Sequence, residues 1–566
     1  MKKVIRLLFF LSTFCFPSCS DDSEVPDAEL IISTEALSLS KHGETKSFHV
    51  KSNTSWQVAS SETWCTLSPS SGKSGTIKVD VTATKNETAA TRTAVITVTA
   101  GSLSKQVTVT QSESTILIVS PLEFAVPVEG QQISVEVQSS AEYNVTISHD
   151  WITVVDENQS NPSFQVAANS GLSNRSGTIT FALNDVTQIV TISQAGLPLT
   201  IPADNTGMSS DAITLAQKMT VGWNLGNSLE ATSVTNGVYA ASETLWGNAK
   251  TTKTLIDAVK AAGFNTVRIP CAWSGYIEDT ETHRIKESWL ARVSEVVDYC
   301  VDNDMYAIIN IHWDGGWLEE HPLYSHQEEV NKKQKALWEQ IAVYFRDYDE
   351  HLLFAGTNEV HADYNNPTAE HIEVQETYNQ TFVDAVRSTG GKNAWRNLIV
   401  QGYNTNITHA NTHMTMPEDA PGTTDRLMAE VHFYDPYDFT LDAASSKYLW
   451  GAAYEGNPNR SDWGQEAWVD EAFGLMKTKF VDNGIAVILG EYGATYRASL
   501  TTGLADHIAS RNYYLNYVTK AAKDNGLVPV YWDNGHTGDN SSGLFNRATG
   551  AIVHQDAVDA IISAVE

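Results

Sequence analysis

At 566 residues the chain exceeds one average domain, so two to four domains are expected. Its 37 basic and 68 acidic residues give a net charge of −31. That charge argues against nucleic acid as a partner, and against direct binding to an anionic membrane surface, because both interactions need a basic patch. A neutral polymer is compatible with it.

The N-terminus carries the pattern of an export signal. A basic start, with Lys2 and Arg6, precedes an apolar run over residues 7–16 that is too short to cross a bilayer. Residues 16–19, Phe-Pro-Ser-Cys, resemble a bacterial lipobox, and the acidic residues that follow resemble the export signal of Bacteroidetes surface lipoproteins. The resemblance implies a signal peptide over 1–19, a lipid on Cys19 and a tether over 20–28. It places the protein on the outer membrane facing outward, with the periplasmic face and an ordinary cleaved signal peptide as alternatives.

Three cysteines remain after the signal, Cys65, Cys271 and Cys300. None is in a CxxC pair, so neither a disulfide framework nor a zinc site is predicted. Pairing of Cys271 with Cys300 stays open, and buried free thiols are favoured.

Residues 29–196 are rich in Ser, Thr and Val, and their apolar residues alternate with polar ones, which is typical of half-buried antiparallel strands. The segment is also a repeat, in which Trp64, Arg92 and Gln111 correspond to residues 87, 83 and 83 positions later. We therefore predict two all-β immunoglobulin-like sandwiches, at 29–113 and 114–197.

These two modules resemble BACON domains in the Trp-Ile/Cys-Thr step, the Arg-led strand and the terminal Thr/Ser-Gln pair. The resemblance implies carbohydrate binding. A spacer role is the favoured alternative, because neither module has a cluster of aromatic residues that could form an exposed sugar platform.

After a predicted stiff linker at residues 197–202, helical periodicity appears, and 12 of the 15 tryptophans lie beyond residue 220. Apolar runs alternate with amphipathic segments such as 252–262 and 289–303, which indicates a βα repeat. Eight strands and their crossovers predict one (β/α)₈ TIM barrel over 205–566. The strands are predicted at 221–227, 266–273, 305–314, 352–359, 397–403, 427–434, 486–492 and 528–534.

Polar and aromatic residues end six of these eight apolar runs. In a TIM barrel the carboxyl ends of the strands carry the catalytic residues. Glu359 and Glu491 come from the fourth and seventh strands, which face each other across the barrel mouth. Two carboxylates converging there are what glycoside hydrolysis requires.

The strand-end residues resemble those of glycoside hydrolase family 5, clan A. The family's eight recurrent residues match, in order, Arg268, His312, Asn358, Glu359, His432, Tyr434, Glu491 and Trp532. Residues 222–227, 243–248 and 312–317 resemble more narrowly the subfamily of endo-β-1,4-glucanases, xyloglucanases and lichenases. One departure is the valine at position 360, where the family usually has proline after Asn-Glu.

The resemblance implies a retaining endo-β-1,4-glucanase in which Glu359 is the acid/base and Glu491 the nucleophile. Arg268 and Tyr434 would keep Glu491 ionised, and His432 would assist Glu359. Asn358 would bind the sugar 2-hydroxyl. His312, Trp532, Trp317 and Trp246 are further candidates for contact with sugar.

No metal or cofactor is predicted, since no HExxH or similar spacing occurs. The expected partner is a neutral β-glucan, and the expected state is a monomer. Which β-glucan is cleaved stays open, as does endo-acting against processive action. The alternatives are an endo-β-1,4-mannanase and a surface glycan-binding lipoprotein that does not cut its ligand.

Overall fold

A computed structural model describes residues 27–566. The predicted signal peptide, Cys19 and nearly all of the predicted tether lie outside the described residues. The chain forms two compact units, one reaching Ala168 and including Ser176–Gln194, the other made of Asn169–Arg175 and Ala195–Glu566. No helix within 27–566 combines the length and apolar character needed to cross a bilayer.

The first unit begins with a β-sandwich whose two sheets have the strand orders β1-β3-β7-β5 and β2-β9-β8-β4-β6. In its three longest strands, β7 to β9, buried residues alternate with more exposed ones, as predicted. The strands are β1 Leu30–Ile32, β2 Ala36–Leu39, β3 Thr45–Ser52, β4 Trp56–Ser60, β5 Cys65–Ser68, β6 Ser71–Gly72, β7 Gly75–Ala83, β8 Arg92–Ala100 and β9 Leu103–Gln111.

A second sandwich repeats this plan, with a four-stranded sheet β11-β18-β17-β14, a three-stranded sheet β12-β16-β15 and the pair β10-β13. Its core is a separate apolar cluster around Phe164 and Phe181. The strands are β10 Leu117–Ser120, β11 Glu123–Val126, β12 Gln131–Ser134, β13 Glu136–Ser139, β14 Asn144–Ile147, β15 Ile152–Asp156, β16 Ser163–Val166, β17 Arg175–Leu183 and β18 Val186–Gln194. The predicted fold class of this region is confirmed.

The repeated residues of the sandwiches have structural partners. Gln111 is buried and donates to the main-chain carbonyls of Ser40 and Thr84, and Gln194 makes the equivalent bonds to the carbonyls of residues 127, 128 and 167. The guanidinium of Arg92 lies 4.4 Å from the ring centroid of Trp64. One face of this tryptophan is therefore covered by a cation.

The second unit is a closed barrel of eight parallel strands in the order β20-β23-β26-β27-β29-β30-β31-β32, so the predicted TIM barrel is confirmed. Its strands and the short strands between them are β19 Ile201–Ala203, β20 Gly222–Leu225, β21 Thr232–Thr235, β22 Val238–Ala241, β23 Thr266–Ile269, β24 Ile277–Asp279, β25 Arg284–Ile285, β26 Tyr306–Asn310, β27 Leu352–Ala355, β28 Gly390–Gly391, β29 Leu398–Asn406, β30 Leu427–Phe433, β31 Ala486–Tyr492 and β32 Leu527–Asp533.

Helices surround the barrel, and one of them covers the end at which the strands begin. Leu215 of the first helix and Met219 just after it pack into an interior cluster with Ile308, Leu353 and Ile488. Chemistry is therefore confined to the opposite, carboxyl end of the strands. The helices are α1 Ala212–Lys218, α2 Lys253–Ala261, α3 Glu287–Val301, α4 Tyr324–Tyr344, α5 Ala369–Ser388, α6 Ile407–His413, α7 Tyr437–Thr440, α8 Glu466–Lys479, α9 Leu504–Asp524 and α10 Gln555–Ser563.

The segment predicted as a linker is bound to the barrel unit. β19 pairs in parallel with β28, with Ile201 opposite Gly390. Arg346 donates to the carbonyl of Pro198 at 2.7 Å, and Thr200 donates to the carbonyl of Ser388 at 2.8 Å. The prolines keep this segment extended, as expected, but its backbone groups find partners on the barrel, so it is not a free spacer.

The three cysteines of the described chain, Cys65, Cys271 and Cys300, are free and buried. The prediction of buried free thiols is therefore confirmed, and Cys271 does not pair with Cys300.

Candidate active site

The polar residues of the barrel mouth occupy inward positions on apolar strands. On β23 the neighbours Val267 and Ile269 pack outward against the helices, which turns Arg268 into the barrel. The same alternation on β30 turns Glu430 and His432 inward, between outward apolar neighbours. Because the side chains of a strand alternate between its two faces, the apolar pattern that builds the core also directs these groups to one place.

Arg268 is the centre of the resulting network and is fully buried. Its Nη1 lies 2.9 Å from Oε1 of Glu491 and donates to Oδ1 of Asn224 at 3.0 Å. Its Nη2 donates to Oδ1 of Asn358 at 2.7 Å, and its Nε lies 3.0 Å from Oε1 of Glu430. A buried guanidinium is tolerated here because two carboxylates and two amide oxygens surround it.

Glu491 has partners on both carboxylate oxygens. Arg268 contacts Oε1, and the hydroxyl of Tyr434 donates to Oε2 at 2.9 Å. Burial raises the pKa of Glu491 above its ordinary value, and the nearby charge of Glu359 adds to this, while His432, Arg268 and Tyr434 oppose it. Both partners donate to the carboxylate, so each of these hydrogen bonds favours its ionised form.

Glu359 and His432 form a short hydrogen bond, 2.6 Å between Oε1 and Nδ1. Burial alone would lower the pKa of His432, but the charges of Glu491, Glu359 and Glu430 raise it to about 10. Burial would raise the pKa of Glu359, and His432 outweighs that effect and lowers it. The pair Glu359–His432 therefore holds one shared proton across the neutral range.

The two predicted catalytic carboxylates converge. One ligand atom from each of Glu359, His432 and Glu491 lies within 4.8 Å of the others. Carboxyl groups ~5–5.5 Å apart are typical of retaining glycosidases, whereas inverting enzymes keep them roughly 6.5–9.5 Å apart. An approach of two carboxylate oxygens within 4.8 Å fits the closer, retaining spacing.

The same three side chains have the donor types of a metal site, yet their protonation opposes one. His432 is held in its charged form, in which both ring nitrogens carry hydrogen and offer no lone pair. Arg268 adds a second positive charge against Glu491. The chemistry of the donor set therefore fits proton transfer better than cation binding.

Glu359 lies on a loop, although the sequence predicted that its strand extends to residue 359. β27 ends at Ala355, and only Phe354 and Ala355 pair with β29. Beyond that point the side chain of Gln401 accepts hydrogen bonds from both the main-chain N–H and the hydroxyl of Thr357, at 3.0 and 2.9 Å. Gly356 still donates to the carbonyl of Ile399 at 2.9 Å, but at Thr357 a side chain replaces the backbone of the neighbouring strand, and the chain leaves the sheet.

The strands before this one are also shorter than predicted. β23 ends at Ile269, not at residue 273, and β26 ends at Asn310, so His312 stands on the following loop. The apolar run misled the prediction because buried loop residues such as Trp273 continue the hydrophobic pattern after pairing stops.

His312 and Trp532 form a second group beside the carboxylates. Their rings are parallel within 6° and their centroids lie 5.8 Å apart. Burial and the charges of Arg268 and His432 hold the pKa of His312 well below its usual value, so this imidazole is neutral. Its Nδ1 lies 3.2 Å from the amide nitrogen of Asn310, which can only donate, so Nε2 carries the hydrogen and is the donor left for a sugar hydroxyl.

Trp246 and Trp317, the two loop tryptophans predicted to contact sugar, do not direct their indole N–H groups at Glu359 or Glu491. Trp246 donates to the carbonyl of Thr232 at 3.1 Å, and Trp317 donates to the buried carboxylate of Asp314 at 2.8 Å. Lys333 places its ammonium 4.0 Å from the centroid of Trp317. These contacts fix the orientation of each indole and place Trp317 under a cation.

Sequence reasoning missed three residues of the network, Asn224, Glu430 and Glu319. The first two carried a usable signal, since each is a polar residue at an inward position of an apolar strand. Glu319 carried no such signal, because it lies on an irregular loop after β26 and is 5% exposed.

Comparisons with known proteins agree with this geometry. Residues 229–538 match the model of the cellulase family, glycosyl hydrolase family 5, and residues 29–114 and 116–197 each match the viral BACON domain. The chain is 40% identical over 451 residues to the xyloglucan-specific endo-β-1,4-glucanase of Bacteroides ovatus, covering 76% of this chain and 88% of that protein. It is 39% identical over 373 residues to endoglucanase A of Paenibacillus barcinonensis, covering 63% and 91% respectively.

Solved structures give the same result. The Bacteroides ovatus family 5 xyloglucanase bound to an XXXG heptasaccharide aligns with a TM-score of 0.62 at 35% identity, over 95% of this chain and 99% of that chain. The family 5 xyloglucanase of Paenibacillus pabuli aligns with a TM-score of 0.58 at 37% identity, over 62% and 100%. The chain therefore belongs to glycosyl hydrolase family 5 and is a glycoside hydrolase of the endo-β-1,4-glucanase type.

Proposed function

We propose that this enzyme cleaves xyloglucan within its β-1,4-linked backbone, with Glu491 as nucleophile and Glu359 as acid and base. The observation that carries the chemistry is the convergence of the two carboxylates within 4.8 Å, with different partners on each. The choice of xyloglucan rests on relatives, since the Bacteroides ovatus protein and two solved structures are named for that polymer.

The first half-reaction forms a bond from a carboxylate oxygen of Glu491 to the anomeric carbon. The bond from that carbon to the leaving oxygen breaks, and the leaving oxygen takes a proton from Glu359. In the second half-reaction water gives a proton to Glu359 and its oxygen displaces Glu491 from the same carbon. Two displacements retain the anomeric configuration.

Proton supply is the task of the Glu359–His432 pair. The 2.6 Å hydrogen bond lets the proton held by the imidazole move onto Glu359 as negative charge develops on the leaving oxygen. Glu430, which lies 3.2 Å from Nε2 of His432, holds the ring in this orientation. His432 can therefore supply a proton to Glu359 at pH values above the ordinary pKa of a glutamate.

The remaining predicted residues are assigned to sugar binding. Asn358 would donate to the 2-hydroxyl of the sugar, because Arg268 occupies its Oδ1 and Glu319 accepts one hydrogen of its Nδ2, which leaves the second N–H for the ligand. His312 and Trp532 would bind the neighbouring ring through hydroxyl contacts and stacking. Trp246 and Trp317 would line the more distant parts of the cleft.

The two N-terminal sandwiches are proposed to act as spacers for the barrel rather than to bind glycan. Arg92 covers one face of Trp64, and the ring of His149 lies 5.6 Å from that of Trp151, so both repeated tryptophans are engaged within their modules. Lipidation of Cys19, attachment to the outer membrane facing outward and a monomeric state complete the proposal. Labelling of intact cells with lipid precursor, compared with a Cys19→Ala variant, tests the anchor.

The substrate is tested by hydrolysis of xyloglucan, barley β-glucan, carboxymethyl-cellulose and glucomannan, with the products sized. Rapid release of short branched oligosaccharides from internal cuts in xyloglucan is expected. Glu491→Ala should lower that rate more than about 10⁴-fold. Activity restricted to glucomannan would instead identify an endo-β-1,4-mannanase and overturn the proposal.

A further inference from the structure

Glu319 is a buried carboxyl in contact with the catalytic loop. Its Oε2 accepts a hydrogen bond from Nδ2 of Asn358 at 3.1 Å and another from the main-chain N–H of Glu359 at 3.2 Å. Its own main-chain carbonyl accepts from the N–H of His361 at 2.7 Å. One residue of the loop after β26 therefore fixes the loop after β27 on both sides of Glu359.

The orientation of the Asn358 amide follows from this contact. Arg268 donates to Oδ1 and Glu319 accepts from Nδ2, so a flipped amide would face a donor with a donor and an acceptor with an acceptor. The N–H of Glu359 would lose its acceptor if Glu319 moved. A main-chain N–H that is shielded from solvent and lacks an acceptor is unfavourable, which supports the observed arrangement.

We propose that Glu319 is a positioning residue, which holds Asn358 and Glu359 in place and, through its own protonation, sets how firmly Glu359 retains the proton it donates. This inference rests on the proposed role of Glu359. Burial and the charges of Glu359 and Glu491 raise the pKa of Glu319 to about 8, against its two N–H donors. Glu319 is therefore neutral below about pH 8, and at higher pH its negative charge holds the proton on Glu359.

The surroundings of Glu319 make this coupling direct. The ionisable groups that face it are Glu359 and Tyr364 from the loop after β27 and Glu491 from β31. Arg268 acts on it through Asn358, and His432 acts on it through Glu359. A like charge a few ångströms away, at an effective dielectric near 20, shifts a pKa by about one unit or more.

The test compares pH profiles of kcat/KM for the wild type and Glu319→Gln on xyloglucan. Glutamine keeps an oxygen acceptor for both N–H donors and resembles the protonated acid, so the acid limb of the variant's profile should keep the position of the wild-type limb. At high pH the variant lacks the negative charge, and its alkaline limb should lie about one pH unit lower. Superimposable profiles would overturn the proposal.

Glu320→Gln is the matched control, because it removes the same charge from the exposed neighbouring residue, and its profile should follow the wild type. A shift as large as that of Glu319→Gln would show a general charge effect and refute the specific role.

If Glu319→Gln does not fold, Glu319→Asp is the second test variant, since its shorter side chain moves the acceptor away from both N–H donors. Its kcat should fall about tenfold with KM within twofold, and an unchanged kcat would contradict positioning. A wild type without hydrolytic activity would instead refute the proposed function itself.

Discussion

The buried polar side chains of the sandwiches and of the barrel mouth have different kinds of partner. Gln111 and Gln194 are neutral and donate to main-chain carbonyls. In the barrel, Arg268, Glu491 and His432 are charged and bind one another. Neutral amides that satisfy the backbone stabilise a fold, whereas buried ion pairs often cost more than apolar substitutes. The buried charges of the barrel mouth are therefore explained by catalysis, whereas the buried amides of the sandwiches are explained by stability of the fold.

The largest effect should come from removing the acid. Glu359→Ala is expected to lower kcat/KM on xyloglucan by roughly 10³-fold, because proton donation to the leaving oxygen is lost. On 2,4-dinitrophenyl β-cellobioside, whose leaving group needs no proton, the loss in the first half-reaction should be far smaller. Steady-state and burst kinetics on both substrates measure the difference. Equal losses on the two substrates would mean that Glu359 does not act through a proton.

Two arginines test the comparison of the regions directly. Arg268→Ala leaves Glu491 and Glu430 buried without their counter-charge and should lower the free energy of unfolding by about 3–5 kcal/mol. Arg92→Ala removes a cation from Trp64 and the donor to Oε1 of the buried Gln111, and should cost about 1–2 kcal/mol. Denaturant unfolding followed by fluorescence measures both. Comparable costs would remove the distinction between the two kinds of buried polar group.

The charge on His432 should be visible in the pH dependence of activity. Its pKa is raised to about 10, above that of an unfolded histidine, so the stabilisation it supplies is complete below pH ~6.5 and is lost as the pH rises through about 10. His432→Ala leaves Glu359 alone with its proton, and the alkaline limb of kcat/KM should move toward neutrality by more than about one unit. An unmoved limb would separate His432 from proton supply.

An effect on stability alone is expected at the boundary of the barrel unit. A chain that begins at residue 205 lacks the pairing of β19 with β28 and the bond from Arg346 to Pro198. A chain that begins at residue 196 keeps them. The shorter chain should be less stable by roughly 1–3 kcal/mol, with kcat unchanged. Thermal melting of the two chains, with xyloglucan hydrolysis as the activity check, measures this.

Much of this organisation was predictable from sequence because it depends on periodicity. Strand alternation and the 83-residue offset predicted the sandwiches, and eight apolar runs predicted the barrel. The placement of Arg268, His432 and Glu491 followed from the rule that strand ends meet at one face of a barrel. These features are local in sequence and repeat regularly.

The features that sequence could not supply depend on contacts between distant loops. Gln401 ends β27 early by accepting bonds from Thr357, and no pattern around residue 359 indicates it. Glu319 reaches Asn358 across two loops whose shapes are not periodic. The binding of residues 198–203 to the barrel likewise depends on surface carbonyls and on Arg346, which composition does not reveal.

Glu491 should form a covalent bond to the sugar, and Glu359 should transfer the proton. Incubating the enzyme with 2,4-dinitrophenyl 2-deoxy-2-fluoro-β-cellobioside and mapping the adduct by peptide mass spectrometry tests both roles. We expect one added fluorocellobiosyl group, located on Glu491, and products of retained β configuration by NMR. An adduct on Glu359, or α-configured first products from the natural polymer, would overturn this assignment.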